Sequence, residues 1–298
     1  MSYHNPVLLK ESVDGLNIKE DGVYVDVTFG GGGHSREILS RLGKKGKLFA
    51  FDQDEDALEN ALDDERFQLI HENFRYMTQF LKFYGIRKVD GVLADFGVSS
   101  HQFDKAERGF STRFDADLDM RMSKKNTISA YDVVNKYSYD ELRRVLFEYG
   151  DLRNANAMAK VIEVARSETP IQTTDQLKGV LKQFLPPSKE HKILAQIYQA
   201  IRIEVNQEID VIKEFLTQMP GILEVGGRLS MISYHSLEDR LVKRFIRAGQ
   251  FDGEPEKDFY GNIDVPFKKV GGLIVPSRGE IKLNNRARSA KLRIAEKT

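Results

Sequence analysis

Four consecutive glycines, Gly30 to Gly33, follow the β-branched run Val23-Tyr24-Val25-Asp26-Val27 and precede a helix-forming stretch over residues 35–42. A short apolar run that ends at glycines reads as a buried strand closed by a tight turn. Glycine has no Cβ, so the backbone of such a turn can approach a ligand that a side chain would exclude. A strand, a glycine turn and a helix in that order point to an open sheet whose carboxyl ends face a ligand crevice.

The rhythm continues. Strands are predicted at 47–52, 67–71 and 89–95, with helices at 54–62 and 77–84 between them. Strands that alternate with helices imply a mostly parallel sheet covered on both faces. After Ser100 the pattern breaks into an irregular, charged and aromatic stretch over 101–125. Helical signals then dominate. Ser138-Tyr139-Asp140-Glu141 and Thr173-Thr174-Asp175-Gln176 are capping boxes, and 154–166 has helical apolar spacing. A single long helix is expected from about 190 to 219, with Ile193, Ile197, Ile201, Val205, Ile209 and Ile212 near one face as packing residues. Strand-like runs return at 227–233, 272–275 and 290–294. The expected fold is therefore α/β, with a sheet domain over 1–105 and 205–298. A helical domain over 106–204 is inserted in it, for substrate recognition.

Composition narrows the function classes. With 41% hydrophobic and 30% charged residues the chain reads as globular. It has no cysteine, which excludes disulfides, thiolate metal sites and a cysteine nucleophile. No histidine and carboxylate cluster stands out as a metal site. Residues 1–20 show no apolar core behind basic residues, so no secretory leader is expected. No apolar run approaches the ~20 residues that cross a bilayer, so no membrane partner is expected and the expected compartment is the cytoplasm. The 45 basic and 45 acidic residues balance, so a nucleic acid would have to meet a local patch. Residues 268–298 supply one: Lys268, Lys269, Arg278, Lys282, Arg286, Arg288, Lys291, Arg293 and Lys297 against Glu280 and Glu296. Charge alone leaves open whether this is an RNA-facing patch or a solvated tail.

The glycine turn does not fit the two commonest glycine motifs. A dinucleotide fingerprint needs a third glycine, and that position is Ser35 counted from Gly30 or Arg36 counted from Gly31. A phosphate loop would end in Gly-Lys-Ser/Thr, which is absent. What remains is Asp-x-x-x-Gly-x-Gly, from Asp26 through Gly30 to Gly32. It resembles the first motif of the Rossmann-like class I methyltransferases. In those proteins an acid at the end of the second strand holds ribose hydroxyls, and Asp52 stands at that place.

Further segments make the resemblance specific: Asp95-Phe96-Gly97-Val98-Ser99-Ser100, Leu118-Asp119-Met120-Arg121-Met122, Gln199-Ala200-Ile201-Arg202-Ile203, Ser233-Tyr234-His235-Ser236-Leu237-Glu238-Asp239-Arg240 and Asn285-Arg286-Ala287-Arg288-Ser289-Ala290-Lys291-Leu292-Arg293. In this order, from about His4 onward, the chain resembles the bacterial ribosomal RNA small-subunit methyltransferase H family. The resemblance implies transfer of a methyl group from S-adenosylmethionine to the N4 amino group of a cytidine in the decoding region of small-subunit ribosomal RNA. It also implies cofactor contacts at Gly32, Gly33, His34, Asp52, Phe74, Asp95 and Gln102. Many relatives carry a larger residue at Gly31, which leaves those contacts intact.

The chemistry asks for a hydrogen-bond acceptor near the amino group, whose lone pair is delocalised into the ring. Asp95 is the candidate for that catalytic role, and contact with the cofactor alone is its rival. Ser99, Ser100 and His235 are candidate shapers of the cytidine pocket. For His235, a general base and a structural hydrogen bond are both open. Arg286 and Arg288, with Lys291 and Arg293, are candidate phosphate contacts. Arg108-Gly109-Phe110 and Arg113-Phe114 are candidates to close over the nucleotide. The expected partner is small-subunit ribosomal RNA or the ribosomal subunit; a homodimer stays open. A methyltransferase with another acceptor, a non-catalytic RNA-binding factor and a nicotinamide oxidoreductase are the competing readings.

Overall fold

The computed structural model describes residues 6–253, 255, 259–261 and 265–298. His4, where the resemblance starts, lies outside them. The chain divides into two compact units, one formed by residues up to Gly97 with Ile209–Thr298, the other by Val98–Glu208.

The first unit holds seven strands: β1 (Val23–Asp26), β2 (Lys47–Asp52), β3 (Phe67–His71), β4 (Val89–Asp95), β5 (Leu223–Ser233), β6 (Phe267–Ile274) and β7 (Lys291–Lys297). Their order is β3-β2-β1-β4-β5-β7-β6. Strands β1 to β5 run parallel, whereas β7 is antiparallel to both β5 and β6. Strand order reverses between β1 and β4, which makes that junction the switch point where an open sheet binds ligands. The two strands that flank it and β2 beside them end alike: Asp26, Asp52 and Asp95 are the last residues of β1, β2 and β4.

Helices cover both faces. In chain order they are α1 (Leu9–Gly15), α2 (Gly33–Arg41), α3 (Met77–Phe83), α4 (Ser100–Asp104), α5 (Ala130–Lys136), α6 (Tyr139–Glu148), α7 (Ala155–Glu168), α8 (Thr174–Val180), α9 (Glu190–Asn206), α10 (Glu208–Ile222), α11 (Ser236–Ala248) and α12 (Arg278–Leu283). Side chains alternate across a strand, so neighbours in sequence serve opposite faces. Tyr24, Leu48 and Leu93 pack with Val13, Ile38 and Leu39 of α1 and α2. Val25, Phe49, Val92 and Ala94 pack instead with Met77, Phe215, Met219 and Val242 of α3, α10 and α11. Burial of each large side chain in these layers contributes about 1.5–3 kcal/mol.

The second unit is helical. Leu142, Val145 and Leu146 of α6, Met158 and Ile162 of α7, and Ile197 and Ile201 of α9 share one core. Ser138 and Thr173 cap α6 and α8 through the two capping boxes expected from sequence.

Three local expectations change. Residues 54–62 form a 3-10 helix, Glu55–Asn60, capped by the Asp54 side chain, and not an α-helix. Residues 101–125 are not wholly irregular, because α4 and a 3-10 turn at Ala106–Arg108 occupy their start. The long helix over 190–219 is two helices, broken at Gln207, whose φ is 51°. The buried Asn206 explains the break. Its amide donates to the carbonyls of Arg202 and Met120, and its Oδ1 accepts from Met122 N–H. A side chain that takes backbone partners competes with the helix ladder, and the left-handed residue after it closes α9.

The basic stretch 268–298 is also more ordered than a solvated tail. It supplies β6, α12 and β7, with Ala287, Leu292 and Ala295 fully buried. Among the described residues no helix is long and apolar enough to cross a membrane.

Candidate active site

The glycine turn follows β1 directly. Gly30 and Gly32 take left-handed φ values of 51° and 74°, which glycine adopts without the penalty a Cβ brings. The reason for each glycine differs. A Cβ on Gly32 would lie 2.9 Å from the Phe29 ring, and one on Gly33 would lie 2.1 Å from Pro6 Cγ, whereas one on Gly31 would meet nothing within 4 Å. The chain's own packing therefore demands glycine at positions 32 and 33, and the turn is open at Gly31.

Asp26 anchors the turn from below. Its oxygens accept from Thr28 N–H at 3.1 Å and from the Ser35 hydroxyl at 2.7 Å, which ties β1 to α2. Burial raises its pKa, opposed chiefly by His34. Asp52 holds the turn from the side: Oδ2 accepts from Gly30 N–H at 2.7 Å and Oδ1 from Asp54 N–H at 2.9 Å. Burial pushes it up to about 6 despite those two bonds. Phe74 opens a 3-10 turn after β3 and stands edge-on to Phe215, with ring centres 5.5 Å apart.

Asp95 is held from several sides. Its N–H donates to Thr28 Oγ1 at 2.7 Å. Its Oδ1 accepts from the Tyr234 hydroxyl at 2.8 Å. Its Oδ2 lies 3.9 Å from His34 Nδ1, too far for a hydrogen bond. Burial pushes the carboxyl up to about 6, opposed by His34 and by the Tyr234 bond. His34 does not cap α2, whose N-cap is Gly32. Its Nε2 instead faces the Val7 carbonyl at 3.3 Å, which brings the segment before α1 against the turn.

The structure thus gathers Gly32, Gly33, His34, Asp52 and Asp95 at the carboxyl ends of β1, β2 and β4, with Phe74 just beyond β3. The other candidates stand as follows. Ser99 caps α4: its hydroxyl accepts from Gln102 N–H at 3.2 Å, while Gln102 Oε1 accepts from Ser99 N–H at 3.0 Å. Ser100 is the first residue of that helix. His235 caps α11, with Nδ1 3.5 Å from Glu238 N–H and Nε2 3.0 Å from Glu238 Oε1. Arg286 and Arg288 sit on a 3-10 helix, Asn285–Ser289, on either side of the buried Ala287. Lys291 and Arg293 share Asp239, at 3.3 and 2.7 Å, so its one negative charge offsets one of their two positive charges.

Sequence reasoning missed Tyr234 and Thr28. Tyr234 stands inside a quoted motif, but its link to Asp95 spans 139 residues, and no spacing rule reveals a bond of that length.

The residues fit S-adenosylmethionine. The turn is bare at Gly31. Each Asp52 oxygen keeps a lone pair for a ribose hydroxyl, and Phe74 offers an apolar ring to an adenine. Comparison with known proteins agrees. The model of the MraW methylase family matches residues 1–298. A protein of Flavobacterium johnsoniae named ribosomal RNA small subunit methyltransferase H is 71% identical over 297 residues, covering 100% of this chain and 98% of that one. Proteins of the same name from Cytophaga hutchinsonii and Bacteroides thetaiotaomicron are 56% and 52% identical, each covering at least 98% of both chains. On the glycine turn, the aspartate-terminated strands and this full-length match, the chain belongs to the MraW methylase family.

Proposed function

We propose that the protein transfers a methyl group from S-adenosylmethionine to the N4 amino group of a cytidine in the decoding region of small-subunit ribosomal RNA. The observation that carries the reading is Asp95: a carboxylate at the switch point, with Oδ1 bonded and Oδ2 free of hydrogen bonds among the described residues.

The cofactor supplies a methyl carbon already activated by its sulfonium sulfur. Gly32, Gly33, His34, Asp52, Phe74 and Gln102 are the residues that would hold it, Asp52 by accepting from the ribose hydroxyls. Placement of the reactants in an attack geometry is worth about 7–11 kcal/mol in favourable cases. The amino group must also become a better nucleophile and lose a proton. Asp95 Oδ2 accepts from one amino N–H, favours a pyramidal nitrogen and takes its proton as the new bond forms. A carboxyl pushed up to about 6 suits that task, because it is ionised at neutral pH yet more basic than an ordinary aspartate.

The target base must leave its stack to reach such a site. Ser99, Ser100 and His235 are the side chains we assign to contact with the base. Arg286 and Arg288 meet phosphates. The helical unit recognises the RNA: Phe114 is 47% exposed, with the Arg113 guanidinium 5.9 Å from its ring centre, a platform on which a base can stack. A modifier of ribosomal RNA works where ribosomal subunits are, in the cytoplasm.

The test is transfer of label from S-adenosylmethionine to small subunits that lack the modification, followed by nucleoside analysis. Label in N4-methylcytidine supports the proposal. Cofactor binding without label in that nucleoside rejects the assigned substrate.

A further inference from the structure

We propose that Tyr234 is a positioning residue for methyl transfer: its phenol holds the Asp95 carboxylate by Oδ1 and so reserves Oδ2 for the acceptor amino group. The proposal rests on the assignment of Asp95 as proton acceptor.

Both ends of this bond are built on fixed backbone. On one side, Asp95 closes β4 in register with Ile232 of β5, and its N–H is held by Thr28 Oγ1 at 2.7 Å. On the other, Tyr234 occupies the turn between β5 and α11. Its N–H donates to Glu238 Oε2 at 2.8 Å, and His235 N–H donates to the same oxygen at 3.3 Å. Glu238 is fully buried, so it is a firm anchor. The 2.8 Å bond between Tyr234 and Asp95 therefore joins two elements whose positions the sheet already sets.

An unrestrained carboxylate turns about its Cβ–Cγ bond and offers its oxygens interchangeably. One fixed donor removes that freedom and makes the oxygens different. The groups that face Asp95 are His34 from α2, Asp26 from β1, Glu238 from α11 and Tyr234 itself. His34 Nδ1 is 3.9 Å from Oδ2 and does not hold it by a hydrogen bond. Among the described residues, Tyr234 is thus the side chain that fixes the carboxylate by a hydrogen bond. Its phenol is suited to the role, because burial and the neighbouring Asp95 raise its pKa well above the ordinary tyrosine value and keep it a donor. Glu280 of α12 adds to that field.

The readout is the titration of Asp95 in the protein without cofactor, by NMR of carboxyl-labelled aspartate, with the signal assigned by its loss in Asp95→Asn. Tyr234→Phe is expected to move the Asp95 midpoint up by about 1 pH unit, since a hydrogen bond to a charged group favours the charged form. The single-turnover rate is expected to fall by about tenfold or more, while affinity for S-adenosylmethionine changes less than about threefold. 3-Fluorotyrosine at position 234, a stronger donor of nearly the same size, is expected to move the midpoint down. A purely structural tyrosine would change melting temperature without these shifts of opposite sign. If Asp95→Asn loses the rate while both position-234 variants leave the Asp95 midpoint and the rate unchanged, the role of Tyr234 is overturned alone. If Asp95→Asn keeps the wild-type rate, the acceptor reading fails and this proposal fails with it.

Discussion

Replacement of Asp95 by asparagine should make the protein more stable while it removes activity. An unfolded aspartate titrates near 3.8, and in the folded protein burial lifts Asp95 to about 6. Between those values the folded protein holds a proton that the unfolded chain has released. Stability therefore falls as pH rises through this window, and the loss is complete above it. About two pH units at 1.36 kcal/mol each give about 3 kcal/mol at pH 8. At pH 5 the folded carboxyl is still mostly protonated, and the same linkage gives about half of that. Asparagine has no charge to bury, and its side-chain oxygen can still accept from Tyr234. Urea unfolding should therefore show Asp95→Asn to be more stable than the wild type by about 3 kcal/mol at pH 8 and about half that at pH 5. Its single-turnover rate should be at least about a hundredfold lower, within the range by which a positioned acid or base accelerates. A variant no more stable than the wild type at pH 8, or one with the same advantage at both pH values, would refute the reasoning.

Three other expectations can be checked together. The single-turnover rate should fall as pH drops through about 6, where Asp95 takes up its proton; a profile flat from pH 5 to 8 would contradict Asp95 as acceptor. Gly33→Ala should lower stability by about 1–3 kcal/mol, because its Cβ would sit 2.1 Å from Pro6 Cγ. Gly31→Ala, with nothing within 4 Å, should stay within about 0.5 kcal/mol, and thermal melts that reverse this order would deny the close approach of Pro6 to the turn. Joint reversal of Arg286 and Arg288 to glutamate should weaken RNA binding and flatten its log–log salt dependence by about 2, so an unchanged slope would remove them from the interface.

Much of the sheet was legible because buried parallel strands are written as short β-branched and aromatic runs with turn residues at their ends. Residues 47–52, 67–71 and 89–95 are strands in the structure with those bounds. The glycine turn and the aspartates at the ends of β1, β2 and β4 were visible for the same reason: a ligand crevice lies where such runs stop. What escaped depends on partners distant in sequence. The break at Gln207 arises from bonds between Asn206 and residues 120 and 122, and apolar periodicity continues through it undisturbed. The antiparallel direction of β7, and its place between β5 and β6, leave no mark in composition. Lys291 and Arg293 read as free cations until Asp239 is brought beside them. The two reasons for glycine in one turn, packing at Gly32 and Gly33 and open space at Gly31, cannot be separated without coordinates.

The strand order also bears on how the protein is made. Synthesis proceeds from the amino end, and segments fold as they emerge. Strands β1 to β4 appear early, but β5 follows only after the whole helical unit Val98–Glu208 has been produced. Until then β4 presents an unpaired edge between apolar faces that carry Val92, Leu93 and Ala94, the kind of edge that attracts other chains. β6 in turn precedes β7 yet joins the sheet only through it, so it must wait without a partner. The newborn protein therefore holds its glycine turn long before it holds Tyr234, and the carboxylate of Asp95 acquires its orientation only after the whole helical unit has been made.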